Sequence, residues 1–295
     1  MYQFFTVNGY ITRMPTVTKK PLHLRETHSR GRELSRAGRL AASFLKFRRS
    51  VEVSRCIRFF DQWRLLTWAY IAAGKLDYPF RVTTRAGHTL TLEDWSEVTT
   101  LWHVYCAQEY QLRARAELVV DLGANFGAFS LLTAERLPGV RVIAVEPFPS
   151  TYSRLTDMIE QNSLADTITP VMAAINSHDT NVHMNAQADG HSYARKIVNE
   201  TTEHTVEVPA MTLSTLFRTH QLDQIDFLKV DIEGGKYALL ANCDPELLRQ
   251  CQTIAMEYHD VARRQVIWDR LEAAGFECVR HHPGGWSGLA EFRRI

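Results

Sequence analysis

Val119-Val120-Asp121-Leu122-Gly123-Ala124-Asn125-Phe126-Gly127 is an apolar run feeding a turn punctuated by two glycines, and Ala128-Phe129-Ser130-Leu131-Leu132-Thr133-Ala134 follows as a helix start. A strand that turns sharply into a helix exposes backbone N–H groups at its carboxyl end, where open α/β sheets bind their ligands. Gly123 and Gly127 let the backbone turn tightly and approach a ligand without a Cβ in the way. Arg141-Val142-Ile143-Ala144-Val145-Glu146-Pro147 is a second buried-type strand, ending in an acid at the distance from which a carboxylate meets a nucleoside's ribose hydroxyls. The alternative for Glu146 is a strand-end acid capping the next helix.

The loop is not the G-x-G-x-x-G of nicotinamide enzymes, because Asn125 stands where a third close glycine would fall. Fewer glycines and an acid on each of the first two strands suit a nucleoside without phosphates, and S-adenosylmethionine is such a ligand. Asp121 then lies near its cationic end and Glu146 accepts from its ribose diol. Gly123, Asn125, Gly127, Pro147 and Ala173 complete this candidate cofactor set on the first three strands and their loops.

Three runs carry a resemblance: V-V-D-L-G-A-N-F-G-A-F-S-L-L at 119–132, V-E-P-F-P-S-T-Y-S-R-L at 145–155, and I-D-F-L-K-V-D-I-E-G-G-K-Y-A-L-L at 225–240. With Ile254-Ala255-Met256-Glu257-Tyr258-His259 they resemble the FkbM-type S-adenosylmethionine-dependent methyltransferases, from Pro79 to the C-terminus. The resemblance implies a Rossmann-like class I methyltransferase fold and O-methylation of polyketide, sugar or lipid-linked glycan hydroxyls. It adds Tyr110, at a Glu-Tyr pair common in the family, to the candidate cofactor contacts, with packing at a helix end as the alternative. It also implies that the 176–204 segment, with His191 and Ser192 as candidate substrate contacts, closes over the pocket. There is one departure: the family usually has a second acid where this chain has Lys236. This lysine either pairs with Glu233, binds an acidic substrate, or lies on the helix surface.

Methyl transfer from a sulfonium is an in-line displacement that needs an aligned nucleophile, often one relieved of its proton. Asp231, Glu257 and His259 end adjacent strands and are the candidate catalytic groups. Asp231, closing the strand beside that of Asp121, is the first choice for orienting or deprotonating the acceptor. A Glu257 carboxylate in a buried strand requires a partner, and His259 is either a base or a structural histidine. Glu233 either caps the next helix or, with Lys236, contacts substrate. Asp231, Glu257 and His259 could also hold a divalent cation, although no metal is favoured.

The alternation of elements predicts an α/β fold, a doubly wound, mostly parallel sheet with a C-terminal antiparallel hairpin and an N-terminal helical extension. Residues 1–75 read as a basic tail and helical extension, and 76–295 as the methyltransferase domain. The interval 176–204 reads as polar, and 96–111 as one helix. With 45% apolar and 23% charged residues the chain is ordinary for a protein with a sizeable core. Its net charge of +1 hides a basic stretch over residues 19–58, with 12 Lys/Arg against 3 Asp/Glu, suited to an anionic partner or to a solvated helical face. The aromatics of 34–75 either pack on the domain or form a membrane-surface face or substrate lid.

Five cysteines without C-x-x-C spacing fit reduced thiols. With neither a signal peptide nor a long apolar span, the cytoplasm is the expected location, with peripheral membrane contact open. Expected partners are a small-molecule, glycan or lipid-linked acceptor, and the oligomeric state is open. An RNA methyltransferase is the second enzyme reading, but K-V-D-I-E-G-G does not resemble the N/D-P-P-Y/F block of amine methylation, so nucleic acid is not expected. A non-catalytic nucleoside-binding scaffold is the third, opposed by the joint presence of Asp121, Gly123, Glu146, Asp231 and Glu257.

Overall fold

Central strands without a polar face must be covered on both sides, and the sheet they form here is. The structure, a computed structural model, describes residues 49–72, 76–185, 197–198, 202, 204–232, 235–259, 264–283 and 287–295. Helix α1 occupies residues 49–59 and, after a break at Phe60, α2 runs Trp63–Ala72. A hairpin of β1 (Phe80–Thr83) and β2 (Thr89–Leu92) leads to α3 (Trp95–Leu101), which Asp94 caps by accepting from the Glu97 N–H. The alternating part begins with β3 (Leu118–Leu122), α4 (Ala128–Arg136), β4 (Arg141–Val145), α5 (Pro149–Gln161) and β5 (Ile168–Val171). Short strands follow: β6 (Ala174–Ile175), β7 (Val182–Asn185), β8 (Ile197–Val198), β9 (Thr205–Val208) and β10 (Ala210–Met211). The chain then runs α6 (Leu213–His220), β11 (Phe227–Val230), α7 (Lys236–Asn242), α8 (Pro245–Arg249), β12 (Thr253–His259), α9 (Arg264–Ala273), β13 (Phe276–Pro283) and β14 (Ser287–Arg294).

Seven strands make the main sheet in the order β13-β14-β12-β11-β3-β4-β5. β12, β11, β3, β4 and β5 are parallel, and β14 pairs antiparallel with both β12 and β13, the expected terminal hairpin. From β3 the chain fills one half through β4 and β5, then returns to β11 and β12 on the other side. The strand order therefore reverses beside β3, where doubly wound sheets open a crevice.

Alternation along β3 sends Val119 to one core and Val120 and Leu122 to the other. The first core joins α4 and α5 (Phe129, Leu131, Leu155) to Phe60, Leu66 and Ala69 of the N-terminal helices. The second joins Leu216 and Phe217 of α6, Leu239 and Leu240 of α7, and Leu271 of α9.

One reading changes. The helix expected over 96–111 leaves α-geometry at Leu101, continues as a π-helical stretch over Trp102–Ala107, and stops at Gln108 in the left-handed region. The wider turn buries Trp102, Val104, Tyr105 and Cys106, with Trp102 stacked 4.4 Å from Tyr70 and donating to Glu52. Within the polar interval 176–204, β7 pairs antiparallel with β8, and also with β9 beyond it. β7 offers only Val182 and Met184 as inward residues, too few to stand out from the polar surroundings. Within the expected 34–75 helical region, residues 34–48 and 73–75 lie outside the described residues, and the remainder is two helices. Phe60 at the break is fully buried and bridges to Thr84. The tail at 1–33 also lies outside the described residues.

Candidate active site

Gly123 ends β3 with φ +79°, and a Cβ there would collide with the Asp231 carbonyl oxygen at the end of β11. Only glycine lets these two strand ends come so close. Its N–H and that of Ala124 donate to the Val145 carbonyl, tying the loop to β4. Gly127, φ +92°, opens α4 against α5, where a Cβ would run into Met158 and Leu155. Asn125 takes the left-handed conformation (φ 53°) that Asn tolerates better than most residues, and its Oδ1 accepts from the Phe126 N–H.

Glu146 follows β4 directly. Its carboxylate accepts from the Asn125 N–H and the Phe148 N–H, at 3.0 Å each, so two loops fix its orientation. It faces the cleft.

Between β3 and β11 lies a buried ion pair. Lys229, 3% exposed in mid-strand, donates to Asp121 Oδ1 at 2.9 Å and to the Gly123 carbonyl at 3.0 Å. Asp121, fully buried, also accepts from Ser130 Oγ at 2.7 Å. The Lys229 ammonium lies 3.4 Å from Asp231 Oδ2 and sits over the Tyr110 and Phe129 rings. Burial opposes its charge, but Asp121 and then Asp231 outweigh it and hold the amine above the usual lysine range. The Asp121 carboxylate is thus engaged inside the sheet and is not among the described residues lining the cleft.

Asp231 Oδ2 also accepts from the Tyr110 hydroxyl at 3.1 Å, so Tyr110 acts on the cleft through Asp231 and stands behind its wall. Burial raises the Asp231 carboxyl's proton affinity, yet Lys229 and then Lys236 hold it below the ordinary aspartate value. An aspartate so stabilised is a weak base.

Glu257, near the end of β12, is the opposite case. Burial and then the neighbouring Asp231 push its pKa up to about 7, with a hydrogen bond to Asp231 favouring the protonated form. Its Oε2 lies 3.8 Å from His259 Nε2. The His259 carbonyl accepts from the Tyr237 hydroxyl of α7. Lys236, the first residue of α7, is 2% exposed, which removes the reading of a lysine on the helix surface.

The cleft, with a cavity of about 200 Å³, opens at the carboxyl ends of β3, β4 and β11. Gly123, Asn125, Glu146, Pro147, Ala173, Asp231 and Glu257 of the sequence candidates line it. Asp121, Tyr110, Gly127, Lys236 and His259 are not among its described lining residues. Glu233, His191 and Ser192 lie outside the described residues. Ile197 and Met184, from β8 and β7, reach the cleft. Thr100, Val104, Phe148 and Thr151 also line it and were missed, since nothing in their spacing distinguishes them from core residues. Lys229 left a signal: a lone lysine inside F-L-K-V needs a buried counter-ion. Among the described residues, no group of three His, Cys, Asp or Glu side chains is arranged to hold a metal.

The doubly wound sheet, its glycine turn and the acid-lined crevice define a Rossmann-like enzyme. Residues 121–278 match the methyltransferase FkbM domain, and the chain belongs to that family of methyltransferases. It is 28% identical over 190 residues to Methyltransferase 1 of Beauveria bassiana (strain ARSEF 2860), covering 56% of this chain and 74% of that protein. It is 26% identical over 192 residues to Methyltransferase sdnD of Sordaria araneosa, covering 55% and 74%. Among solved structures, the methyltransferase FkbM from Methylobacillus flagellatus KT aligns at a TM-score of 0.47 and 15% identity, over 67% of this chain and 50% of that one.

Proposed function

We propose that this methyltransferase takes its methyl group from S-adenosylmethionine and delivers it to a hydroxyl of a small acceptor, such as a glycan, a lipid-linked sugar or a specialised metabolite. The observation that carries this reading is Glu146, fixed by two backbone N–H groups and facing the cleft. The donor set fits the nucleoside: Glu146 for the ribose diol, the Gly123–Asn125 loop for close backbone approach, and Ala173 with Phe148 as apolar wall. When bound, the cofactor supplies an electrophilic methyl carbon.

At the other end of the cleft stand Asp231 and Glu257. Asp231, held ionised by Lys229, orients the acceptor hydroxyl by accepting its hydrogen bond. Glu257, whose proton affinity is close to neutral, receives the hydroxyl proton as the oxygen becomes the nucleophile. An oxygen acceptor is supported by this pair, since an alcohol must lose its proton to become an ether.

Calorimetric titration with S-adenosylmethionine tests the assignment. Binding is expected in wild type, and Glu146→Ala should weaken it by about 1.5–3 kcal/mol, the scale of a hydrogen bond to a charged group. Unchanged affinity in that variant would remove Glu146 from the cofactor site.

A further inference from the structure

Lys236 is a residue that neither solvent nor local packing explains. Its side chain is 2% exposed and its ammonium has no hydrogen-bond partner among the described residues. Burying an amine cation without hydrogen bonds is costly, and the first turn of a helix disfavours positive charge. Its place is fixed from behind, because a Cβ at the preceding Gly235 would press within 3.2 Å of the Ile175 carbonyl. The offset must come from charge. Asp231 and Glu257, at the ends of β11 and β12, both feel the Lys236 cation.

Among the described residues, the charged and titratable groups around this pair are few. β3 contributes Asp121, β11 contributes Lys229, and the segment before β3 contributes Tyr110, whose hydroxyl donates to Asp231. β12 adds His259, and α7 adds Tyr237, donating to the His259 carbonyl. With Asp121 and Asp231 ionised against Lys229 and Lys236, the set is neutral while Glu257 keeps its proton. It carries a single negative charge once Glu257 gives the proton up. Without Lys236, ionised Asp121, Asp231 and Glu257 would share Lys229 alone.

We infer that Lys236 is the buried counter-charge of the Asp231–Glu257 pair, a positioning residue that keeps the two carboxyls together in the cleft wall and sets the pH range over which Glu257 accepts a proton. This rests on the reading of Glu257 as the proton acceptor, but its test does not need transfer activity. The Glu257 side-chain carboxyl is followed by carbon-13 NMR through a pH titration, with its resonance assigned by Glu257→Gln, in protein without cofactor or acceptor.

In wild type the midpoint should fall near 7, well above the ordinary 4.5 of a glutamate. Lys236→Met should raise it by about one pH unit, as expected for losing a nearby cation. Lys236→Arg, which keeps the charge, should restore it. A midpoint in Lys236→Met equal to or below that of wild type would overturn the inference. If Lys236→Met does not fold, Lys236→Gln gives the same comparison. If neither folds, a wild-type midpoint at the ordinary value overturns it alone. Failure of wild type to bind S-adenosylmethionine would defeat the functional reading while leaving this titration intact, so the two are separable.

Discussion

Glu257 and Asp231 are two carboxyls at neighbouring strand ends whose surroundings push their proton affinities apart. Asp231 has the Lys229 cation and the Tyr110 hydroxyl, and stays ionised. Glu257 has burial and Asp231, and titrates at about 7. A base works in its deprotonated form, so kcat/KM should rise with pH through about 7 and level off above it. Glu257→Gln should remove that limb and lower turnover by about 10²–10⁴ while leaving the melting temperature nearly unchanged. A rising limb that persists in Glu257→Gln would assign the titration to another group, His259 being the nearest. From the sequence, the pair was legible as acids at strand ends. Their division of labour was not, because it depends on Lys229 and Tyr110, which approach Asp231 only once the sheet is assembled.

At the scale of elements, the close junction of β3 and β11 builds the site. Gly123 permits it and the Lys229–Asp121 pair locks it. Lys229→Met should destabilise the protein by about 3–5 kcal/mol, since it leaves Asp121 buried without its cation. Chemical denaturation reads this directly, and a loss below about 1 kcal/mol would mean that Asp121 is neutral in the folded state. The strand–helix alternation around this junction was readable because each element has enough apolar residues to show its period. The π-helical stretch at Trp102–Ala107 was not, since its residues are as apolar as those of an α-helix and only the tertiary fit widens the turn. β7 and β8 also escaped, being short and set in polar sequence.

At the scale of the whole molecule, the helices at 49–72 contribute Cys56, Phe60, Leu66 and Ala69 to the same core as α4 and α5. Glu52 accepts from the Trp102 indole, and Arg55 donates to the Cys106 carbonyl. A protein shortened to begin at Leu76 would expose that core, and should melt well below the full chain or precipitate. Unchanged melting would show that these contacts contribute little. Trp68, 47% exposed, and Ile57, 39% exposed, are left at the surface of the same helices. No helix among the described residues is long and apolar enough to cross a membrane.

The most direct measurement is a crystal structure of the protein grown with S-adenosylhomocysteine, the demethylated product. The ribose hydroxyls should lie within hydrogen-bonding distance of Glu146, with the sulfur turned toward Asp231 and Glu257. A nucleoside bound away from Glu146, or with its sulfur facing away from those two carboxyls, would contradict the proposed site.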